Sequence, residues 1–378
     1  MKQKTAFSQD ENEQSAVREI CAQLGSSQVY DAILFFASSR YNFALLSKLF
    51  FKQFSNCQVL GTTTSGEISF RQGFSNKSIV AVALSCPTSA VKGKAFERAE
   101  GVLFPHKRAI EQLIRECAIS KNADGAFAVV FSCALSNTEE NVSAILKNAL
   151  GNDFPVIGGN AGDDLRFKQT FVSCNGEVVS QGFALLLFKT NDKFAIIQKN
   201  LFLPASFFQQ KSFIVSETDS LSRTILAIDN QPPLSRLAQI TQQTESQLKR
   251  SIQHHVIGRI AGNETFASAI QSFNSNKSIT LRSRVLKNSR LIPLQIGDPL
   301  QIIEKTAADV LRLIEKPSLT FLCCDVLLSL LLKQKNLESQ AAEFFGNAYA
   351  KTYSGFFSYG QRANSSYTEA SLVILAVE

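Results

Sequence analysis

The sequence is poor in the residue that catalysis most often uses. Among 378 residues there are three histidines, at positions 106, 254 and 255, and tryptophan is absent. A Ser-His-Asp or Cys-His device would have to be built on one of these three imidazoles. The chain contains no G-x-S-x-G turn, no P-loop and no G-x-G-x-x-G motif after a strand. These absences favour a protein that is not an enzyme.

Long apolar runs and export signals are also missing. No apolar stretch reaches the roughly 18 residues that a membrane-spanning helix needs, and no apolar segment follows the N-terminal lysines. The eight cysteines include no C-x-x-C pair and lie mostly in apolar, strand-like stretches. We therefore expect a cytoplasmic protein without membrane insertion, whose cysteines are small buried hydrophobes rather than disulfide partners or metal ligands.

The net charge is +7, from 39 basic and 32 acidic residues. Lysine and arginine are spread along the chain, and no basic stripe alternates with aromatic residues as a single-strand nucleic-acid platform requires. This pattern argues against nucleic acid as a partner. A positive surface would instead suit an acidic protein.

What the sequence does contain is a unit that returns three times. From residue 31 it runs as an apolar strand (DAILFFASS), a helix (YNFALLSKLFFKQF), a strand that ends in a glycine turn (CQVLGTTTSGEISF) and a closing strand (IVAVALS). The same order returns from residue 125 and from residue 319. Continuous apolar runs suit strands that are covered on both faces. The pattern predicts an α/β fold of mixed β-sheets flanked by helices, built from this repeated strand–helix–strand–glycine turn–strand unit.

The glycine turns are candidate binding elements. Aligning the units on their turns superposes three glycines and the residue after each, Gly66–Glu67, Gly162–Asp163 and Gly360–Gln361. In one interpretation the glycines only permit a tight turn, and Glu67 and Asp163 cap neighbouring backbone groups. In the other, turns at the carboxyl ends of strands line a cleft, where Glu67, Asp163 and Asp164 meet the amine or hydroxyl groups of a ligand.

A different stretch separates the second unit from the third, and its composition predicts a domain boundary. Pro204 and the polar residues after it mark that boundary near residue 205. We predict an N-terminal extension over 1–29, a first lobe over 30–204 and a second lobe over 205–378. Because the first lobe holds two complete units, the fragment 1–203 is expected to fold alone. Within the second lobe, one helix is predicted through 327–345, and Asp298 is predicted to cap a helix that begins at Pro299.

Several of these segments resemble the FIST family of sensory proteins. VLGTTTSGEI (59–68) and PVIGGNAGDD (155–164) are similar to the N-terminal FIST half, and GDPLQIIEKTAADVL (297–311) with GFFSYGQR (355–362) to the C-terminal half. The resemblance covers roughly residues 30–378, which makes the predicted lobes FIST N-like and FIST C-like. It implies a bacterial or archaeal cytoplasmic module that senses a small ligand. Such modules act with a histidine kinase, as in a two-component system, with a chemoreceptor-type protein or with a cyclic-di-nucleotide signalling enzyme.

One branch of that family is implied to bind haem and to sense nitric oxide. HHVIGRIAGNETFASAIQSFNSNKSITL (254–281) is similar to its binding segment. The resemblance implies that His254 is the axial ligand of haem b. His255 is the alternative because it shares a strand face with Arg259, which could meet a propionate. Tyr367 stands where the branch has a further histidine. A sensor of a metabolite such as an amino acid, and an interaction scaffold without a ligand, remain as alternatives.

Overall fold

The chain divides into two compact units. The computed structural model describes residues 1–25, 29–86, 90–98, 103–120, 125–204, 212–250, 252, 256–261, 264–350, 352–364 and 366–378. The first unit consists of residues 1–199, 303–367 and 372–378, and the second of residues 200–302 and 368–371. The class is mixed α/β, as the sequence predicts.

Three six-stranded mixed sheets form the β-structure of the first unit in the described part of the chain. The first sheet contains, in spatial order, β1 (Lys2–Ser8), β6 (Ile79–Ser85), β2 (Ala32–Ser38), β3 (Gln58–Thr64), β10 (Val172–Cys174) and β11 (Glu177–Val179). The second contains β24 (Ser366–Thr368), β23 (Gln361–Ala363), β9 (Val156–Asn160), β8 (Ala126–Ser132), β12 (Gly182–Lys189) and β7 (Ala90–Glu97). The third contains β13 (Phe194–Asn200), β25 (Ser371–Val377), β21 (Leu319–Asp325), β22 (Tyr353–Ser358), β4 (Glu67–Ser69) and β5 (Gly73–Ser75).

The three sheets share one strand order. In each, a parallel pair lies at the centre (β2 with β3, β8 with β9, β21 with β22), and an antiparallel closing strand lies beside the first strand of the pair. The second strand of each pair takes a short hairpin from elsewhere in the chain. The hairpin β4–β5 joins the third sheet, β10–β11 joins the first, and β23–β24 joins the second. Each sheet is therefore completed by a segment that follows a strand of another sheet.

Helices cover the outer faces of the sheets. The first sheet packs on α1 (Glu13–Leu24) and α2 (Phe43–Gln53), the second on α3 (Leu103–Glu116) and α4 (Glu139–Leu150), and the third on α8 (Val326–Gln334) and α9 (Glu338–Tyr349). The other helices of the described residues are α5 (Pro233–Thr241), α6 (Glu245–Arg250) and α7 (Pro299–Leu313). None of the helices in the described ranges combines the length and the apolarity of a membrane span.

The inner faces of all three sheets contribute to one apolar core. Its centre holds four phenylalanine rings from four strands, and Phe36 stacks on Phe321 and Phe356 with ring centroids 5.6 and 5.1 Å apart. Phe131 meets Phe356 edge to face at 5.3 Å. Aromatic pairs at such distances add to the hydrophobic gain of burial. Seven of the eight cysteines are also buried, which agrees with their prediction as small hydrophobes.

The helix ends follow the local sequence, with one correction. Asp298 accepts a hydrogen bond from the backbone N–H of Gln301 (3.0 Å), which confirms it as the cap of α7. The predicted single helix through 327–345 is wrong, because α8 ends at Gln334 and α9 begins at Glu338. Asn336 lies between them with φ +55°, a left-handed conformation that an α-helix cannot continue through.

The second unit has its own sheet and core. The seven strands that the structure describes there follow the spatial order β14 (Phe202–Pro204), β20 (Arg290–Ile296), β15 (Phe213–Asp219), β16 (Thr224–Ile228), β19 (Ile279–Leu281), β18 (Glu264–Phe273) and β17 (Val256–Ala261). An apolar cluster from this sheet and from α5 and α6 fills its interior. The compact units differ from the lobes predicted at residue 204, because residues 303–367 join the first unit.

The shared core leads us to expect that the fragment 1–203 does not fold alone, contrary to the expectation from its two complete units. It lacks β21, β22 and β25, which supply part of the core, and it leaves β4 without its partner β22 and β9 without its partner β23. The fragment 200–302 contains the whole second core and should fold. Urea unfolding of both fragments checks this. A cooperative transition of 1–203 with a native-like near-ultraviolet spectrum would show that the core tolerates the loss.

Candidate functional site

The three predicted turns meet within the first unit. The backbone N–H of Ser65 donates to Phe357 O (2.9 Å), that of Tyr359 to Asn160 O (3.2 Å), and that of Gly162 to Thr63 O (2.9 Å). Each turn is thus hydrogen-bonded to the end of the second strand of a parallel pair in another sheet. The fold brings together Gly66, Gly162 and Gly360, which stand far apart in the sequence.

The strand register shows that the second turn is longer than the others. The first residue of each incoming hairpin lies opposite an equivalent position, Glu67 opposite Phe356, Gln361 opposite Gly159, and Val172 opposite Thr62. In the first unit the hairpin begins at Glu67, 5 residues after Thr62, and in the third it begins at Gln361, 5 residues after Phe356. In the second unit the hairpin begins at Val172, 13 residues after Gly159. The second turn therefore carries 8 extra residues (13 − 5), which we call the insertion, residues 163–170.

Backbone hydrogen bonds place the ends of the insertion. Phe357 donates to Gly66 O and Asn160 to Gly360 O, both at 2.8 Å, and Thr63 donates in the same way to Phe171 O at 3.0 Å. Phe171 rather than Gly162 thus occupies the position of the two turn glycines. The sequence alignment that superposed Gly162 on Gly66 and Gly360 is wrong.

The glycines differ accordingly in what they do. Gly66 and Gly360 have φ of +127° and +145°, which other residues rarely adopt. Gly162 has no such φ, and its need for glycine comes from close approach. A Cβ there would lie 2.8 Å from the backbone nitrogen of Ser65.

The first residue of each incoming hairpin is buried, in surroundings that disfavour a charged side chain. Glu67 is fully buried, and the hydroxyls of Thr64 and Ser78 donate to its carboxyl oxygens. The pKa of Glu67 is raised to about 8, chiefly by burial and to a smaller extent by the nearby Asp164, although these hydroxyls act to lower it. Gln361 occupies the same place in the second sheet and Val172 in the first, both also fully buried. The shared burial supports the structural interpretation of Glu67.

Asp163 fixes the shape of the insertion. Its buried carboxylate accepts the backbone N–H groups of Phe167 (2.9 Å), Lys168 (2.6 Å) and Gln169 (3.1 Å). The hydroxyl of Tyr359 also donates to it at 2.6 Å. Four donors fill both carboxylate oxygens, so the geometry supports the capping interpretation of Asp163 rather than direct contact with a ligand.

Asp164 is placed differently, because only one of its carboxylate oxygens is used. Its Oδ2 accepts from Ser38 Oγ (2.9 Å), from the backbone N–H of Ser39 (2.9 Å) and from Ser39 Oγ (2.5 Å). Its Oδ1 has no hydrogen-bond partner among the residues that the structure describes, and the side chain is half-buried. Of the predicted acids, Asp164 is the one that can offer an oriented oxygen to a ligand.

Sequence reasoning did not find the insertion or the partners of Asp164 on the loop after β2. The signal was present in the spacing, because the segment from GGNAGDD to the next hairpin is longer than its counterpart in the first unit. Matching the glycines hid this difference. Tyr359, which holds Asp163 through its hydroxyl, was likewise not singled out.

The residues predicted for haem are divided between the units. His254 and His255 lie outside the described residues, and β17 begins directly after them at Val256. Arg259 belongs to the second unit, where its guanidinium lies 5.2 Å from the centre of the Phe266 ring. Tyr367 belongs to the first unit, where its hydroxyl accepts from the Asn160 amide at 3.4 Å. Neither unit by itself contains both residues, and haem ligation stays a prediction.

Comparison with known proteins agrees with the resemblance seen in the sequence. The sequence model described as the FIST N domain matches residues 31–231, which is more than half of the chain. The match includes the first two units and the insertion between β9 and β10. No curated protein shows significant similarity to the chain.

The buried Glu67 generates a prediction for the pH dependence of stability. The folded protein holds its proton up to about pH 8, whereas the unfolded chain ionises near the ordinary value of 4.5. Between these values the folded state binds more protons, so the free energy of unfolding falls as the pH rises. Glu67→Gln removes this effect and should stabilise the protein increasingly with pH, by on the order of 3 kcal/mol at pH 7.

Urea unfolding of both proteins between pH 4.5 and 8 measures this difference. Glu11→Gln is the control, since Glu11 is 91% exposed and its replacement should give a small and constant difference. A constant difference for Glu67→Gln as well would mean that Glu67 is ionised in the folded protein.

Proposed function

Because the chain belongs to the FIST family of sensory signal-transduction domains, we propose that it is a ligand sensor rather than an enzyme. The ligand is a small metabolite with an ammonium or hydroxyl group, such as an amino acid. Binding in the cytoplasm would alter the surface that regulates a partner, either a histidine kinase or a cyclic-di-nucleotide signalling enzyme.

The half-buried carboxylate of Asp164 carries this proposal. Three donors from Ser38 and Ser39 fix its orientation through Oδ2, and Oδ1 is left for a further donor. A charge-assisted hydrogen bond from an ammonium group to a fixed carboxylate is stronger than a neutral one. Little conformational entropy is lost on binding, because the carboxylate is already held in place.

Asp164 also connects a bound ligand to the conformation of the insertion at the protein surface. Asp164 ties the insertion to the first sheet, since its backbone N–H also donates to Thr64 O at 3.2 Å. A ligand on Oδ1 would favour the arrangement in which the insertion is closed on Ser38, Ser39 and Thr64. Such a ligand shifts the population only by its difference in affinity between the closed and the open arrangements.

A thermal-shift screen with the twenty amino acids and simple amines tests the site. We expect at least one of them to stabilise the wild-type protein, by about 2.7 kcal/mol at 100 times its Kd. Asp164→Asn should abolish the shift, because an amide cannot bind an ammonium group as a carboxylate does. Ser39→Ala is the matched control, since it removes a donor to Oδ2 but leaves Oδ1 unchanged and should keep the shift.

Two results would contradict the metabolite site. One is the absence of any shift with the wild-type protein, and the other is an equal shift with Asp164→Asn. Far-ultraviolet spectra of both variants confirm that they are folded at the start of each scan.

Haem-based sensing of nitric oxide is the second candidate, and Arg259 favours it. This cation is half-buried on β17 and makes no ion pair with the described residues. It could meet a haem propionate through charge-assisted hydrogen bonds. Haem iron would supply the binding of nitric oxide, and an imidazole from His254 or His255 would hold the iron.

Absorption spectra of the full chain after reconstitution with haem b test the second candidate. His254→Ala should abolish the Soret band of bound haem and its change with nitric oxide, whereas His255→Ala should keep both. If both variants retain the wild-type spectra, ligation by this pair is wrong. If the wild-type protein does not bind haem, the metabolite site remains as the proposal.

A further inference from the structure

The insertion exposes two apolar side chains that alternate with two basic ones. Leu165 is 39% exposed and Phe167 is 49% exposed. Arg166 and Lys168 alternate with them and are also exposed. Neither cation makes an ion pair within the described part of the chain. Binding residues lie disproportionately on loops, and aromatic and arginine side chains are enriched at interfaces.

The shape of this segment is held by several contacts. The three backbone hydrogen bonds to Asp163 fix its second half, and Leu165 N–H donates to the Tyr359 hydroxyl at 2.8 Å. The ring of Phe167 stacks on Tyr359 with centroids 5.1 Å apart. The insertion therefore displays Leu165 and Phe167 in a prepared arrangement, which lowers the entropy lost when a partner binds.

Its backbone conformation is unfavourable for the residues that it contains. Asp164, Leu165 and Phe167 have φ of +55°, +62° and +52°, in the left-handed region that non-glycine residues seldom occupy. Strain of this kind persists where the surrounding contacts impose it, and it concentrates at functional sites. The equivalent turns of the first and third units close without any such segment, so the fold itself does not require the insertion.

A neighbouring loop adds to the same edge of the second sheet. Leu135 follows β8, is 42% exposed and has φ +60°. β8 and β9 are parallel neighbours, so the loops after them leave from the same edge. The buried Thr170 links the two loops through a hydrogen bond from its hydroxyl to Ala134 O (3.4 Å).

We propose that residues 165–168 form a docking surface for a protein with an apolar pocket and an acidic rim. Phe167 and Leu165 would enter the pocket, and Arg166 and Lys168 would face the acidic groups. Charge complementarity selects this partner, because the charged side chains of residues 165–168, Arg166 and Lys168, are both positive and exposed, whereas the carboxylate of Asp163 is buried and hydrogen-bonded within the insertion. The inference rests on the proposed function only in that a sensor needs an output partner.

Selection from a displayed library of random dodecapeptides on the full chain tests the docking surface. We expect the enriched peptides to be acidic and to carry at least one large apolar residue. Their affinity should fall at least tenfold with Phe167→Ser and with the double change Arg166→Glu and Lys168→Glu. Phe104→Ser is the matched control, since Phe104 is 75% exposed on α3 and its replacement should leave affinity unchanged.

The outcomes separate this inference from the proposed function. Peptides without acidic bias, or peptides that bind the Phe167→Ser variant as tightly as the Phe104→Ser variant, would overturn the docking surface. So would a wild-type dimer, detected by sedimentation, that dissociates in the Phe167→Ser variant, because the occupant would then be a second copy. Asp164→Asn reports on the metabolite site alone, so loss of ligand binding with intact peptide binding would uphold the docking surface.

Discussion

Backbone pairing between a hairpin and the sheet of another unit holds the first compact unit together. β4–β5, β10–β11 and β23–β24 each leave the sheet in which the preceding strand lies and complete another one. Since unpaired backbone groups are costly when they are buried, each sheet depends on a distant segment of the chain. The common core adds to this dependence, because Phe36, Phe131 and Phe321 come from three different sheets.

The same pairing explains why the turn acids differ in role. The first residue of each hairpin is buried beside the core, and Glu67, Val172 and Gln361 hold these three places. Glu67 accepts hydrogen bonds from hydroxyl groups and makes no ion pair within the described residues, and burial raises its pKa to about 8. These three side chains are fully buried, so none of them offers an exposed group to a ligand.

The insertion is not buried in this way, because it lies between the paired positions and outside the sheets. Its inner side is occupied by Asp163, which binds backbone N–H groups and Tyr359, and its outer side carries Leu165 and Phe167. Asp164 lies between these two sides and contacts Ser38 and Ser39. One short segment thus joins the two sites that we propose, the metabolite site and the docking surface, and the other two turns lack this segment.

The sequence by itself determined the class of the fold, the family and the strand-rich units. Apolar runs such as 126–132 and 319–325 are strands buried on both faces, and the local cap at Asp298 depends only on residues close to it. The tertiary structure alone decided which strand takes which hairpin, and therefore that Val172, not Asp163, corresponds to Glu67. Glycine spacing could not show this, because register is set by hydrogen bonds between segments far apart in the chain. The burial of Glu67 and the open oxygen of Asp164 follow from that register.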